Sequence, residues 1–301
     1  MITYVDHGGK IASEDQLDIY FKYNSDADRT ATISLIKPNE NNKVYASRSI
    51  NITGGINKNR AVTLTRQSST PIGSGYIILI QLFEKNALTA SYSVTVTVEA
   101  GKQGFHCFQG KIYDANKAEF IMRGINNVHA YWDNYNRWYA YNALDNIAQT
   151  GSNVVRIVWL KYLQGGLTIV DLDTIIARAI QNKIIPMIEL HDATGSSDAN
   201  YLNEMAQYLA DQVWLLIKYR KYILVNIANE WSPWGTAETF WRDSYKTAIN
   251  TIRSAGYSGA LVIDASAYAQ NPNGPKWYGV ELLSNDPFNN LIFSVHMYAQ
   301  W

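Results

Sequence analysis

The sequence is poor in cysteine, in charged residues and in long apolar runs, and each shortage argues against one structural feature or class of partner. Cys107 is the only cysteine among 301 residues, so no disulfide can form within the chain. Charged residues make up 17 % of the chain and the formal net charge is zero, so neither nucleic acid nor an acidic membrane is expected as a partner. No apolar stretch approaches the ~20 residues of a transmembrane helix. Aromatic residues, in contrast, reach 13 %.

Neither end of the sequence has the pattern of a natural chain end. The first ten residues, MITYVDHGGK, lack a basic segment followed by an apolar segment and are not predicted to be a signal peptide. They enter a strand-like pattern almost at once, and the last residues, SVHMYAQW, follow closely on an apolar strand. Both ends are therefore expected to be cuts through a longer gene product.

Residues 1–100 predict an all-β domain. Short alternating or β-branched runs recur at 17–21, 31–35 and 93–98, and turns containing glycine or proline separate the runs. The continuous apolar run at 76–82 suits a central strand. This pattern favours a β-sandwich, either immunoglobulin-like or resembling a carbohydrate-binding module. All nine Trp of the chain lie after this region, so a spacer or docking role is favoured over sugar binding.

From residue 104 onward the pattern alternates between strand and helix. The candidate strands are the apolar runs at 120–126, 154–159, 184–191, 223–229, 261–264 and 291–296. Segments with helical spacing lie between them, such as 171–183 with Asp171 as its predicted N-cap. Continuous apolar strands are typical of a parallel sheet covered on both faces. No Gly-x-Gly-x-x-Gly motif and no P-loop follows a strand, which favours a (β/α)8 TIM barrel over a nucleotide-binding sheet.

The predicted organisation is thus an all-β sandwich at residues 1–100 followed by a partial barrel at residues 104–301. Six strands in the second region amount to roughly 33 residues for each strand–helix unit, and eight such units need about 264, close to the ~250 of a typical barrel. About two units are therefore expected to follow the present C-terminus.

Polar or aromatic side chains follow every candidate strand. The six strand ends carry, in order, Asn126, Asn127 and His129; Arg156 and Trp159; Glu189, His191 and Asp192; Asn229, Glu230 and Trp231; Asp264; and His296 and Tyr298. Placing such groups at the ends of apolar strands is costly for stability alone. Because barrels of this kind build their active sites at the carboxyl ends of the strands, these side chains predict one active site.

The segment VNIANEW at 225–231 carries the clearest chemistry. Glycoside hydrolysis needs one carboxylic acid to protonate the leaving oxygen and a second carboxyl group across the bond. Glu230 suits the first role, and Asn229 beside it is expected to orient it and to bind a sugar 2-hydroxyl. Trp231 and Trp132 are expected to stack on the apolar faces of sugars.

Several alternatives stay open at this point. Arg156 is expected both to form structural ion pairs and to keep a catalytic carboxylate ionised, while Glu189 is predicted to be a buried structural acid. Three histidines at strand ends, His129, His191 and His296, would instead suit a zinc-dependent hydrolase. A non-catalytic carbohydrate-binding protein is a third possibility.

Six segments of the second region resemble glycoside hydrolase family 5, and within it the bacterial endo-β-1,4-mannanases. They are GINNVHAYW (124–132), GSNVVRIV (151–158), ELHDATG (189–195), VNIANEW (225–231), VIDA (262–265) and FSVHMY (293–298), in the order and at the spacing of successive strands. The resemblance implies a retaining, monomeric enzyme that needs no cofactor and cuts β-mannan or a related β-1,4-linked plant polysaccharide. A family 5 β-1,4-glucanase is the nearest alternative, and an extracellular location is inferred from the polymeric substrate.

The resemblance also implies roles for individual residues. The catalytic set is Glu230, Asn229, Arg156, His296 and Tyr298, and the substrate-binding set is His129, Trp132, Trp159, His191, Asp192 and Trp231. Glu230 would be the acid/base, and Arg156, His296 and Tyr298 would surround the nucleophile. The nucleophile of the family is a Glu at the end of the seventh strand, and no Glu follows Glu281 here. The nucleophile is therefore expected beyond the present C-terminus, and the chain by itself is expected to have little or no activity.

Overall fold

The structure, a computed structural model, describes residues 2–6, 10–12, 16–65, 70–99, 104–132, 137–161 and 167–298. The chain divides into two compact units, Met1–Gln103 with Trp214–Lys218 and Gly104–Val213 with Tyr219–Trp301. The predicted linker at 99–104 lies largely outside the described residues. Across the described ranges, no helix is long and apolar enough to cross a membrane.

In the described residues up to Glu99, the first unit contains strands and one 3₁₀ turn at Pro38–Glu40, and its other segment, Trp214–Lys218, is helical. The strands are β1 (Ile2–Asp6), β2 (Lys10–Ala12), β3 (Gln16–Ser25), β4 (Arg29–Lys37), β5 (Lys43–Ile52), β6 (Gly55–Thr65), β7 (Gly73–Glu84) and β8 (Ala87–Glu99). They form a three-stranded sheet in the order β1-β3-β6 and a five-stranded sheet in the order β2-β8-β7-β4-β5. All neighbours pair antiparallel except β2 and β8.

Side chains from both sheets share one hydrophobic core, which includes Leu17 of β3 and Ile33 of β4. In β7, Tyr76, Ile78 and Ile80 are fully buried while the residues between them are partly exposed. This two-residue period is that of a strand with one face turned to the core. β7 lies between β8 and β4, which confirms that the apolar run at 76–82 is a central strand.

The second unit begins with a hairpin and continues with parallel strands that alternate with helices. The strands are β9 (His106–Phe108), β10 (Lys111–Tyr113), β11 (Gly124–Asn127), β12 (Val154–Trp159), β13 (Ile185–Leu190), β14 (Leu224–Asn226), β15 (Leu261–Asp264) and β16 (Leu291–Ser294). The helices found in the described ranges are α1 (His129–Trp132), α2 (Arg137–Gln149), α3 (Ile169–Gln181), α4 (Ala199–Asp211), α5 (Val213–Tyr219), α6 (Glu238–Ser254) and α7 (Asn273–Asn285), with a 3₁₀ turn at Arg220–Tyr222.

The six strands β11 to β16 lie side by side in sequence order, and every neighbouring pair is parallel. A helix lies in each connection, which is the arrangement of a (β/α)8 barrel. The described strands thus form a partial barrel, and this confirms the predicted fold class.

The strand that leads to Glu230 is shorter than predicted. β14 ends at Asn226, whereas the apolar run suggested a strand through residue 229. The next residues bond alternately to both neighbours: the Ile227 N–H donates to the Val262 carbonyl at 3.3 Å, and the Asn229 N–H donates to the Leu190 carbonyl at 2.8 Å. The chain therefore stays between β13 and β15 after the regular pairing stops.

The prediction that Asp171 is the N-cap of α3 is also wrong. The helix begins at Ile169 with Thr168 as its N-cap, not at Asp171. The Asp171 carboxylate accepts a hydrogen bond from the Thr168 backbone N–H at 2.7 Å, as the third helical residue of a capping box does. Leu172, Ile175, Ile176 and Ala179 of the predicted apolar face are buried, whereas Ile180, predicted on the same face, is partly exposed.

Candidate active site

Glu230 lies where the chain turns away from the sheet after β14. Its φ of 44° is in the left-handed region, which residues other than glycine rarely adopt. Two hydrogen bonds fix this turn: the Glu230 N–H donates to Asp264 Oδ2 at 3.0 Å, and its carbonyl accepts from the Gly195 N–H at 3.0 Å. Strained backbone that is held by its surroundings is common at active sites, and here it fixes the direction of the Glu230 side chain.

One oxygen of the Glu230 carboxylate accepts two hydrogen bonds. Oε1 is 2.5 Å from the Tyr298 hydroxyl and 2.7 Å from His296 Nδ1. Burial acts to raise the pKa of Glu230, but the hydrogen bonds from His296 and Tyr298 outweigh it and hold the pKa below its ordinary value. The same bond to Glu230 raises the pKa of Tyr298 to about 12, so the hydroxyl remains a donor. The described contacts therefore favour the ionised form of Glu230.

His296 lies between two carboxylates. Its Nδ1 faces Glu230 Oε1 and its Nε2 lies 3.3 Å from Asp264 Oδ2. Burial lowers the pKa of His296, yet hydrogen bonds to Asp264 and Glu230 raise it more, to about 9. Both ring nitrogens can donate only when the ring is protonated. At neutral pH His296 is therefore an imidazolium that joins the two carboxylates.

Asp264 is the buried centre of this group, although it was predicted only as a strand-end residue without a role. Its Oδ1 accepts from Asn226 Nδ2 at 2.7 Å, and its Oδ2 lies 3.6 Å from Arg156 Nη2. Burial acts to raise the pKa of Asp264, but His296, Arg156 and the Glu230 N–H together lower it. An apolar strand that ends in a carboxylate was the signal that could have identified it.

Arg156 connects the carboxylates to Asn229. Its Nη2 donates to Asn229 Oδ1 at 2.8 Å, and its Nη1 lies 3.4 Å from Glu189 Oε2. The Asn229 Nδ2 in turn donates to Thr194 Oγ1 at 3.0 Å. The Asn229 amide is thus held at both ends and is 3 % exposed. Its role at a sugar 2-hydroxyl stays a prediction.

Glu189 is fully buried, as predicted for a structural acid. Its Oε1 lies 3.0 Å from His191 Nδ1, and its Oε2 has no hydrogen-bond partner within the described part of the chain. Three carboxyl groups thus share one guanidinium and one imidazolium. We refer to Glu189, Glu230, Asp264, Arg156 and His296 as the acid cluster.

A short loop after β15 supports the acid cluster. Ala267, Tyr268 and Ala269 have φ values of 55°, 58° and 58°, three left-handed residues in succession. The Tyr268 N–H donates to the Ser232 carbonyl at 2.9 Å, and the Ala269 carbonyl accepts from the His296 N–H at 2.8 Å. The loop therefore holds the chain just after the Glu230 turn and the backbone of His296 at once.

Two tryptophans predicted to contact sugar are buried instead. Trp159 is 1 % exposed and its Nε1 donates to the Tyr208 hydroxyl at 3.0 Å. Trp231 is 0 % exposed and its Nε1 donates to the Asp198 carbonyl at 3.1 Å. Burial of a large ring whose N–H has a partner is favourable for folding, but it leaves no ring face for a sugar. The substrate-binding predictions for Trp159 and Trp231 are wrong.

The predicted cleft residues at the start of α1 and directly after β13, His129 and His191, are partly exposed. The His129 ring stacks on Tyr139 with 5.7 Å between ring centroids. The His191 ring is tilted against Tyr131 at 5.1 Å. The side chain of Trp132 lies outside the described part of the structure. The roles of His129 and His191 at substrate stay predictions.

Asp192 and the histidines of the zinc alternative also have defined partners. Asp192 Oδ2 accepts from the Lys161 backbone N–H at 2.8 Å. His191 contacts Glu189, and His296 contacts the carboxylates of the acid cluster. Among the described residues, no three His, Cys, Asp or Glu side chains are grouped so that they could hold a metal ion.

Parallel strands with a carboxylate cluster at their carboxyl ends define the class of barrel proteins whose active sites lie at that edge. Residues 113–301 match the family described as Cellulase (glycosyl hydrolase family 5), which is more than half of the chain. The chain belongs to glycosyl hydrolase family 5. Residues 2–96 match a family described as Porphyranase-associated domain.

Individual relatives are named for mannan. A mannan endo-1,4-beta-mannosidase of Salipaludibacillus agaradhaerens is 38 % identical over 206 residues, covering 65 % of this chain and 62 % of that protein. One of Streptomyces lividans is 31 % identical over 248 residues, covering 76 % and 58 %. The solved mannohexaose complex of the Thermomonospora fusca beta-mannanase is 29 % identical with a TM-score of 0.60, covering 66 % and 68 %. The chain thus spans 62 % and 58 % of the two curated relatives' lengths.

Proposed function

We propose that the protein is an endo-acting, retaining β-1,4-mannan hydrolase with Glu230 as its general acid/base. The observation that carries this proposal is the Glu230 carboxylate at the carboxyl edge of the sheet, held by His296 and Tyr298. Asn229 is fixed beside it by Arg156. The names of the relatives, which this chain covers only in part, support mannan as the substrate.

Glu230 must change its protonation state during such a reaction. The described contacts lower its pKa, which suits a base that activates water, whereas the first step needs an acid. In retaining glycosidases a second carboxyl group stands about 5–5.5 Å from the first. Its negative charge would raise the pKa of Glu230 by like-charge repulsion and supply the acid form. The resemblance places that nucleophile in a seventh strand, and this assignment stays a prediction.

The decisive experiment measures reducing-sugar release from β-mannan by a version of the chain extended through the following codons of its gene. We expect Glu230→Gln to lower this activity by about 10²- to 10⁴-fold, the usual contribution of a general acid/base. Glu281→Gln is the matched control, because Glu281 is exposed on α7 and contacts Arg242 and Lys246. Full activity of Glu230→Gln would remove the basis of the proposal.

The position of the nucleophile is tested by comparing the two chain lengths. We expect the 301-residue chain to release little or no sugar and the extended chain to be active. Turnover by the shorter chain would mean that its partner carboxylate lies among the present residues. Carboxymethylcellulose, assayed in parallel, distinguishes a β-1,4-glucanase from a mannanase.

We also propose that the first unit is a β-sandwich accessory module and that the enzyme acts outside the cell. The shared core of the two sheets and the match to a porphyranase-associated domain support an accessory role. The location rests on the size of a polysaccharide substrate. Detection of the protein in the culture medium rather than in the cells would test it.

A further inference from the structure

The loop that follows Glu230 carries a second tryptophan, and this one faces solvent. Trp234 is 63 % exposed and Phe240, nearby on α6, is 42 % exposed. Both line a groove of about 440 Å³, within the usual size range of ligand sites. Single exposed apolar side chains are ordinary on protein surfaces, but two aromatic rings that line one open groove are not explained in that way.

The backbone of this loop is fixed before any ligand binds. The Ser232 N–H donates to the Ser196 carbonyl at 2.8 Å, and the Thr236 N–H donates to the Pro233 carbonyl at 3.2 Å. Gly235 has a φ of 89°, which a glycine adopts without strain. Since the loop is already ordered, binding to it costs less conformational entropy.

The aromatic side of the groove is supported from below. The buried Trp231 ring lies 6.0 Å from the Phe240 ring at an angle of 30°. Trp231 is anchored in turn by its hydrogen bond to the Asp198 carbonyl. The ring that was predicted to bind sugar therefore supports the exposed aromatic surface instead of forming it.

The lining indicates what kind of ligand would fit. Ser197 and Thr236 contribute hydroxyl groups beside the two rings, and none of the described residues that line the groove is charged. An uncharged ligand with apolar faces and many hydroxyl groups matches this surface, whereas an anion would find no counter-charge. A sugar ring has these properties, because its C–H faces can pack on an aromatic ring.

The groove is also close to the proposed reaction site. Trp234 is four residues after Glu230, so the two Cα atoms are at most ~14 Å apart. We infer that Trp234 and Phe240 form an aromatic subsite for one sugar unit of a β-1,4-mannan chain, a few units away from the bond at Glu230. This inference rests on the proposed function and adds a specificity-determining residue to it.

The test measures mannohexaose binding by calorimetry, with all variants made in the Glu230→Gln background so that the ligand is not consumed. We expect Trp234→Ala to weaken binding about three- to tenfold, as the loss of one aromatic stacking contact does. Trp277→Ala is the matched control, since Trp277 is 58 % exposed on α7, and it should bind like the parent. Unfolding temperatures of all variants confirm that each is folded.

Unchanged affinity in Trp234→Ala would overturn the inference, and so would an equal loss in Trp277→Ala or a parent that does not bind mannohexaose. None of these results decides the proposed function, because hydrolysis by the extended chain and its loss in Glu230→Gln are measured separately. In the extended chain, Trp234→Ala should raise KM for mannan more than it lowers kcat, because the contact is distant from the reacting bond.

Discussion

Among the described residues of the barrel unit, one buried ion cluster lies near the starts of the strands and another lies at their carboxyl ends. Near the starts of β15 and β16, Arg253 pairs with Asp286 through two contacts of 2.8 and 2.9 Å. The remaining Arg253 nitrogen donates to the carbonyls of Tyr257 and Gly259 at 2.8 Å each. One positive charge here faces one negative charge, and the hydrogen-bonding groups are used within the protein.

The acid cluster at the carboxyl ends differs both in its charge balance and in how completely its hydrogen-bonding groups are used. Three carboxyl groups face one guanidinium and one imidazolium, so negative charge is in excess. Glu189 Oε2 lacks a hydrogen-bond partner among the described residues, and the Glu230 side chain is 13 % exposed. A buried cluster with equal positive and negative charge contributes to stability. A cluster with unequal charge and partial solvent exposure shifts the pKa values of its members, as active sites require. In barrels, the two ends of the strands commonly divide these tasks in this way.

The largest effect is expected in the balanced pair. Asp286→Asn would leave the Arg253 cation buried without its counter-charge, and we expect a loss of about 3–5 kcal/mol in the free energy of unfolding. Urea denaturation measures it. Asp243→Asn is the control, because Asp243 pairs with Arg242 at the surface and should contribute under ~1 kcal/mol. An equal loss of unfolding free energy in Asp286→Asn and Asp243→Asn would show that burial does not make the Arg253–Asp286 pair more important for stability than a surface pair.

An intermediate effect is expected from His296, and it depends on pH. The pKa of His296 in the folded protein is about 9, above its ordinary value of 6.5. Its contribution to stability is therefore fully present below pH 6.5 and is lost as the pH rises through about 9. Since 1 pKa unit corresponds to 1.36 kcal/mol, the contribution is roughly 3 kcal/mol.

Urea denaturation between pH 6 and 10 checks this expectation. The parent should lose stability across that window, whereas His296→Gln should show a flatter profile. NMR titration of the histidine rings reports the same pKa directly. Parallel profiles for the two proteins would contradict the assignment of a protonated ring between Glu230 and Asp264.

The smallest effect is expected from Glu189→Gln. This substitution keeps the shape of the side chain but removes one buried negative charge from a cluster that has too many. Because the lost ion pair with Arg156 is offset by a lower desolvation cost, we expect unfolding free energy to change by about 1 kcal/mol or less. A loss as large as that of Asp286→Asn would mean that the two clusters do not differ as described.

The local pattern predicted most of the strands well, and the reason is physical. Apolar runs such as Val154–Trp159 and Leu261–Asp264 are typical of parallel strands covered on both faces, and both strands have the predicted bounds. β14 was mispredicted because Ile227 and Ala228 are buried without regular pairing. An apolar residue type predicts that a side chain is buried. Where the backbone pairing of β14 ends depends on its neighbouring strands, which the local sequence does not contain.

The sequence by itself determined the barrel class, the order of the strands and the placing of Glu230 and His296 after strand ends, because these depend on the pattern along the chain. Arg156, predicted at a strand end, lies instead in the middle of β12. Only the tertiary structure decided which tryptophan after Glu230 is buried. Trp231 packs against Phe240 and Tyr245 of α6 while Trp234 stays exposed. It also made Asp264 the centre of the acid cluster, because burial and shared charge arise from residues that are distant in sequence.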